Sequence, residues 1–307
     1  MRPMQPRTKR KHSRRHLAAR ILREVHAHPS NAKAPTAAVA RAVLWQVQKR
    51  FGRSPVRRRV FGLDLEFPRH SGSLSNLMYF GECFEWENIN FIRSFLRPGD
   101  KVLDVGANVG TFAYAAHEVV GATGAVHAFE PMPWAAECIR ANVQRCGLGY
   151  SIRVYETAVS DVSGSVAFSA DLDVSSHIAW EGGIASYQLE VPTERLCQLV
   201  DGDTGFALLK VDVEGAEALV LRGFAEYLQR GDPPVVLIEA HDHSLRKMGS
   251  SRDEVLAILQ ENGYKSFVYE VATRRLVEIP AGWNSDVVAV RTSELDVVSR
   301  RLRGASR

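Results

Sequence analysis

From about residue 100 to residue 291, short apolar runs alternate with stretches in which apolar side chains return every three or four positions. Runs at 101–105, 126–130, 152–155, 206–213, 235–239, 264–269 and 286–291 are expected as strands. Segments 111–120, 133–146, 216–228 and 252–261 carry helical spacing, the second stopped by Gly147. Strands alternating with helices in this way predict an α/β fold, a doubly wound parallel sheet with helices on both faces. Segments 165–168 and 186–191 read as an antiparallel excursion around a Gly- and Ser-rich loop containing His177 and Trp180.

Upstream, 60–67 reads as a strand ended by Pro68, and 71–75 as a loop. Residues 85–96 read as a helix with an apolar face of Trp86, Ile89, Phe91, Ile92, Phe95 and Leu96. Residues 1–55 read as a polar start with one or two short helices, broken between Pro29 and Pro35. The expected organisation is a partly helical or disordered extension over 1–59, a lead-in strand and helix over 60–97, a main domain over 98–292 and a basic tail over 293–307.

The first strand of the main domain runs into Asp104-Val-Gly-Ala-Asn-Val-Gly110, and the second ends in Glu130-Pro131. Such a glycine turn lets the backbone approach a ligand, and an acid at the end of the second strand can hold two ribose hydroxyls. The dinucleotide fingerprint needs three glycines, and this loop has Asn108 where the middle one would help, while Asp104 repels a pyrophosphate. The acid suits a cationic ligand that carries an ammonium and a sulfonium, which is S-adenosylmethionine. A nicotinamide cofactor and a glycine turn with no ligand are the weaker readings.

Charge is divided unevenly. Residues 1–60 hold 17 Lys and Arg against Glu24 alone, a net +16, while the remainder of the 307-residue chain is −12. A basic leader attracts anionic membrane, an acidic partner or nucleic acid, or is a solvated arm. No zinc or helix-turn-helix pattern accompanies it, so specific nucleic-acid recognition is not expected. No stretch has the length and apolarity of a membrane span. The leader lacks a secretory h-region, although its composition also fits an organellar transit peptide. Cys83, Cys138, Cys146 and Cys197 form no C-x-x-C pair, which points to the cytoplasm and away from a structural zinc site.

Several blocks together resemble the FkbM-type methyltransferases. They are 101–110, Ala128-Phe-Glu-Pro131, Ala158-Val-Ser-Asp161, Leu209-Lys-Val-Asp-Val-Glu-Gly-Ala-Glu217, Leu221-Arg-Gly223 and Leu237-Ile-Glu239. The resemblance spans roughly residues 78–291. It implies a class I methyltransferase, Rossmann-like sheet of seven strands with the last antiparallel. It also implies S-adenosylmethionine as cofactor and a hydroxyl of a small molecule, sugar or glycan as acceptor. The sequence departs from that pattern at Arg195-Leu-Cys-Gln198, where the family usually carries an acidic pair.

Asp104, Gly106 and Asn108 are expected at the amino-acid end of the cofactor, Glu130 at its ribose, and the turn from Glu156 to Ala158 at its adenine. Ala107, Gly110 and Pro131 complete the cofactor set. Asp212, Glu239 and His241 end the fourth and fifth strands, where reacting groups gather in such sheets. His241 is the candidate general base, because imidazole titrates near neutrality. A metal held by Asp212, Glu239 and His241 is the alternative; their spacing does not require one. Glu214 and Glu217 open the next helix, where acids also favour the macrodipole. Glu85 and Glu87 are open between cofactor contact and solvent, and His127 is expected to be packed. Two rival functions remain, a nicotinamide-dependent oxidoreductase and a non-catalytic domain tethered by its basic arm. The first wants a Tyr-x-x-x-Lys pair, which the chain lacks.

Overall fold

A computed structural model describes residues 10–52, 55–83, 85–169, 177–178 and 188–304. The elements follow in chain order. The N-terminal part holds α1 (Arg10–Ala27), α2 (Pro35–Phe51), β1 (Val56–Val60), β2 (Leu63–Phe67), α3 (Gly72–Phe80) and α4 (Trp86–Phe95). Next come β3 (Lys101–Val105), α5 (Thr111–Val120), β4 (Ala125–Phe129), α6 (Pro133–Cys146), β5 (Ile152–Tyr155), β6 (Ala158–Ser160), β7 (Gly164–Ser169), β8 (His177–Ile178) and β9 (Gln188–Arg195). The rest is α7 (Leu196–Leu199), β10 (Phe206–Val211), α8 (Glu217–Gly223), α9 (Ala225–Arg230), β11 (Val235–Ile238), α10 (Asp242–Lys247), α11 (Arg252–Glu261), β12 (Tyr264–Glu270), β13 (Arg275–Val277), β14 (Val287–Arg291) and α12 (Leu295–Arg303).

The continuous apolar runs become central strands. Every residue of β10 and β11 is buried, as is required of strands covered by helices on both faces. The main sheet has the order β13-β12-β14-β11-β10-β3-β4-β5. Strands β5, β4, β3, β10 and β11 are parallel, and β14 is antiparallel to both β11 and β12. The first seven strands of a class I methyltransferase sheet are therefore present, with the last one inserted in reverse. An eighth strand, β13, adds to the edge through a hairpin with β12. Its three-residue Arg275-Leu-Val277 run is too short to show a strand pattern, so seven strands are expected from sequence where the sheet has eight.

A second sheet, in the order β6-β9-β7-β8, stands beside the first. The antiparallel excursion is this sheet, with β6 added in parallel to β9. Trp180 lies outside the described residues, and of His177 only the backbone is described. Phe168 of β7 and Val191 of β9 pack with Met132, Ala135 and Ala158, which fastens this sheet to the carboxyl end of the main one.

The N-terminal part departs most from expectation. Segment 60–67 holds the end of β1, the turn and the second arm, β2, of a hairpin, whose turn at Phe61 (φ 51°) and Gly62 (φ 72°) has the double left-handed conformation that matches strand twist. The segment expected as a loop at 71–75 starts α3, where the Ser71 hydroxyl accepts from the Leu74 N–H at 3.4 Å as an N-cap. Nor is the described part of the extension a solvated arm. Val25, Ala38, Ala42 and Trp45 belong to the same buried cluster as Phe91, Phe95 and Val102. Asn31 donates to the Val25 and Tyr79 carbonyls at 2.8 and 2.9 Å, and Arg41 donates to the Met78 carbonyl at 2.8 Å. Within the expected basic tail over 293–307, α12 buries Val298 and Leu302, and Arg301 donates to Asp100 at 2.6 Å. The helix expected over 216–228 is divided into α8 and α9 at Phe224.

Trp45 is fully buried and its indole N–H donates to the Ser75 hydroxyl at 3.3 Å. Trp45→Ala is expected to destabilise the whole domain by about 3–5 kcal/mol, read as a lower urea midpoint. A midpoint equal to that of the parent chain would show that the extension is not part of the core.

Candidate active site

A cleft of about 400 Å³ opens at the carboxyl edge of β3, β4 and β10, a size suited to a small-molecule ligand. Its floor is the turn after β3. The Gly106 and Ala107 N–H groups both donate to the Phe129 carbonyl at 3.0 Å, tying this turn to the end of β4. Gly106 has φ 83°, and a Cβ there would stand 1.8 Å from the Asp212 carbonyl oxygen, so two strand ends meet too closely for any side chain. Asn108 also has a left-handed backbone, φ 50°, stabilised as its side-chain oxygen accepts from the Val109 N–H at 2.8 Å.

Glu130 is aimed by the backbone. Its two oxygens accept from the Asn108 N–H at 2.7 Å and the Met132 N–H at 2.8 Å. Burial pushes its carboxyl up to about 7, against the lowering effect of those donors. Beyond it, Pro131, Met132, Trp134, Thr157, Ala158, Val159 and Phe168 form an apolar slot.

The structure brings Gly106, Ala107, Asn108, Glu130, Pro131 and Ala158 to the cleft wall, together with Asp212, Glu239 and His241. Three expected contacts fall elsewhere. Asp104 is completely buried beneath the floor and is not a wall residue. Gly110 stands behind the turn as the N-cap of α5. Glu156 pairs with Arg140 at 2.5 Å and does not line the wall.

Asp104 serves Lys210 instead. The Lys210 ammonium, itself buried on β10, stands 3.0 Å from Asp212 and 3.8 Å from Asp104, above the Phe112 ring. Burial alone would lower the lysine pKa, but Asp212, Asp104 and Glu85 outweigh it and hold the group charged. Burial raises Asp104 to about 6 in spite of the lysine, and neither of its oxygens makes a hydrogen bond of good geometry. Sequence reasoning passed over Lys210, although it lies two residues before Asp212 and therefore on the same side of β10.

The opposite wall is acidic. Glu85, Asp212, Glu214, Glu239 and Asp286 line it, with His241 and Asn88. Burial, then the charges of Asp212, Glu214, Glu217 and Asp286, push Glu239 up to about 9. One Glu239 oxygen is 3.7 Å from His241 Nε2, and the other is buried without a hydrogen bond. Asp286 accepts from the Asn88 amide at 2.5 Å. It immediately precedes the reversed strand β14, whose Val287 pairs with Ile238, so it arrives at the same edge as the end of β11. Ligand atoms of Glu239, His241 and Asp286 lie within 4.8 Å of one another, a set able to hold a cation. The trio weighed from sequence had Asp212 in place of Asp286, but Asp212 is turned to Lys210.

Three other candidates have structural places. Glu217 is buried and accepts from the Val213 and Gly215 N–H groups at 3.2 and 3.1 Å, closing the turn after β10. Glu87 is not on the wall, whereas Glu85 is. His127 is packed against Tyr155, and burial lowers its pKa to about 4.

Residues 104–266 match the family described as the methyltransferase FkbM domain. A 31-O-demethyl-FK506 methyltransferase FkbM from Streptomyces tacrolimicus is 32% identical over 205 residues, 55% of this chain and 74% of that protein. Among solved structures, a methyltransferase FkbM from Methylobacillus flagellatus has a TM-score of 0.42 at 14% identity; the match covers 82% of this chain and 59% of that one. Aeropyrum pernix fibrillarin with natively bound S-adenosyl-L-methionine has a TM-score of 0.39 at 13% identity, covering 77% and 82%. Neither structural likeness is close enough to bear on function. The sequence matches are, and they agree with the strand order: the chain belongs to the FkbM family of methyltransferases, whose methyl donor is S-adenosylmethionine.

Proposed function

We propose that this enzyme transfers a methyl group to a hydroxyl of a small molecule, sugar or glycan. The observation that carries the reading is the division of the cleft into a backbone-aimed acid with an apolar slot on one side and an acidic wall with His241 on the other. Bound there, S-adenosylmethionine supplies an electrophilic methyl on a sulfonium. Glu130 holds its ribose hydroxyls, Gly106, Ala107 and Asn108 offer close backbone approach, and Pro131, Thr157 and Ala158 enclose its adenine. Asp104 and Gly110 act from behind, by fixing Lys210 and the turn. Glu156 is left out of the cofactor set by its pairing with Arg140.

Methyl transfer needs in-line alignment and a group to take the hydroxyl proton. His241 takes that proton through its imidazole, with Glu239 beside it to orient the ring and Asp212 to fix the near wall through Lys210. The carboxylates disfavour a strongly anionic acceptor and suit a neutral hydroxyl. The relative from Streptomyces tacrolimicus is named for methylation of an oxygen, which supports the same acceptor atom. Membership of a methyltransferase family leaves the nicotinamide and tethered-domain readings without support.

Calorimetry tests the cofactor half. S-adenosylhomocysteine is expected to bind and NAD not to, and Glu130→Ala is expected to weaken the former by roughly tenfold or more, or about 1.4 kcal/mol. Binding of NAD alone would overturn the reading. His241→Ala is expected to lower kcat by roughly 10²–10⁴-fold at unchanged S-adenosylhomocysteine affinity, and an unaltered kcat would remove it from the proton-accepting role.

The acidic wall also predicts a pH dependence. Glu239 is raised to about 9 in the fold, so folding must keep a proton that the unfolded chain has already lost. Glu85, Glu130 and Glu217, raised to about 7, complete their titration below that value. The part of the decline in stability of the ligand-free protein that belongs to Glu239 is therefore expected between about pH 7 and 9. Thermal melts should show that decline, and Glu239→Gln should flatten it. An equal decline in the variant would assign the effect to other groups.

A further inference from the structure

The N-terminal part carries a surface that the cleft chemistry does not use. Helix α2 buries Ala38, Ala42 and Trp45, spaced i, i+4 and i+7. On its other side Ala40, Val43, Leu44, Val47 and Phe51 make a second apolar stripe at helical spacing. Val43, Leu44, Val47 and Phe51 are 50%, 57%, 53% and 78% exposed. A helix apolar on two sides expects a cover on each, and none of the described residues covers this one.

Charge decides what cover fits. Arg50 is exposed in the last turn of α2 beside Phe51, and Arg20 and Arg23 are exposed on α1, which packs alongside. They belong to the 60-residue segment of net +16. A second copy would set an equally positive segment against the first, which opposes self-association through this face. An anionic bilayer meets both requirements: apolar side chains enter the acyl boundary while Lys and Arg reach lipid phosphates. The Arg50 guanidinium stands over the Phe51 ring at 5.8 Å, a cation beside an aromatic at the rim of the stripe. No helix among the described residues is long and apolar enough to cross a membrane.

We propose that α2 docks the enzyme on anionic lipid bilayers through Ala40, Val43, Leu44, Val47 and Phe51, with the basic N-terminal part supplying the attraction. The stripe is separate from every residue of the cleft, so docking does not depend on the acceptor assigned above.

The test is co-sedimentation of the full chain with vesicles of phosphatidylglycerol and phosphatidylcholine, roughly one to two. The protein is expected to pellet with them at low salt, to be released as ionic strength rises, and to stay in solution with phosphatidylcholine alone. The double variant Leu44→Glu, Val47→Glu is expected to lower the bound fraction roughly tenfold, with thermal unfolding and turnover in solution unchanged, because both side chains are already solvent-facing. No pelleting with the anionic vesicles, or pelleting that the double variant retains, overturns the proposal. A concentration-dependent dimer abolished by the same substitutions also overturns it, by giving the stripe to a second copy.

Discussion

A buried ammonium held between carboxylates organises the carboxyl edge of the main sheet. Lys210 stands between Asp104, at the end of β3, and Asp212, just beyond β10, and these two neighbouring strands form the middle of the cleft floor. Removing an ion of this kind from water costs several kcal/mol, which is recovered only where opposite charges stand close by. The pairing therefore ties the two strand ends to one geometry. The absence of a side chain at Gly106 lets them approach, and the Asp212 carbonyl occupies the space a Cβ would need. Asp104 is thus a determinant of site shape and not a wall residue.

Around this pair the cleft carries more negative than positive charge. Glu85, Asp104, Glu130 and Glu239 are all raised by burial, to about 7, 6, 7 and 9. Among the described residues of the wall, Lys210 is the one fixed positive charge that opposes them. A pocket of this kind resists full ionisation when empty and gains most from a ligand that brings positive charge, which a sulfonium and an ammonium do. The reversed strand β14 contributes to the imbalance. By entering at the edge where β11 leaves, it adds Asp286 to Glu239 and His241.

The N-terminal part joins the same body by ordinary packing. Trp45, Val25 and Ala42 reach the cluster under α4, while Asn142 exchanges two hydrogen bonds with the backbone of Glu66 to hold the hairpin. Its excess of Lys and Arg is consequently displayed from a fixed scaffold over the described residues, and the outer side of α2 faces solvent beside it.

The amino-acid sequence by itself determined the parallel core and the family. Continuous apolar runs buried on both faces, the 104–110 turn, Glu130 and the Lys-Val-Asp-Val-Glu-Gly block are local patterns whose meaning does not depend on distant partners. Helices α5, α6 and α11 were legible for the same reason, each bounded by its own stop signal. Tertiary structure decided the rest. Whether Asp104 faces a ligand or a lysine, whether Glu156 turns toward adenine or Arg140, and whether Asp286 stands beside His241 depend on strand order and strand direction. A basic segment also reads as solvated until Trp45 and Val25 find a core contributed by residues far along the chain, because net charge describes a surface and not what lies under it.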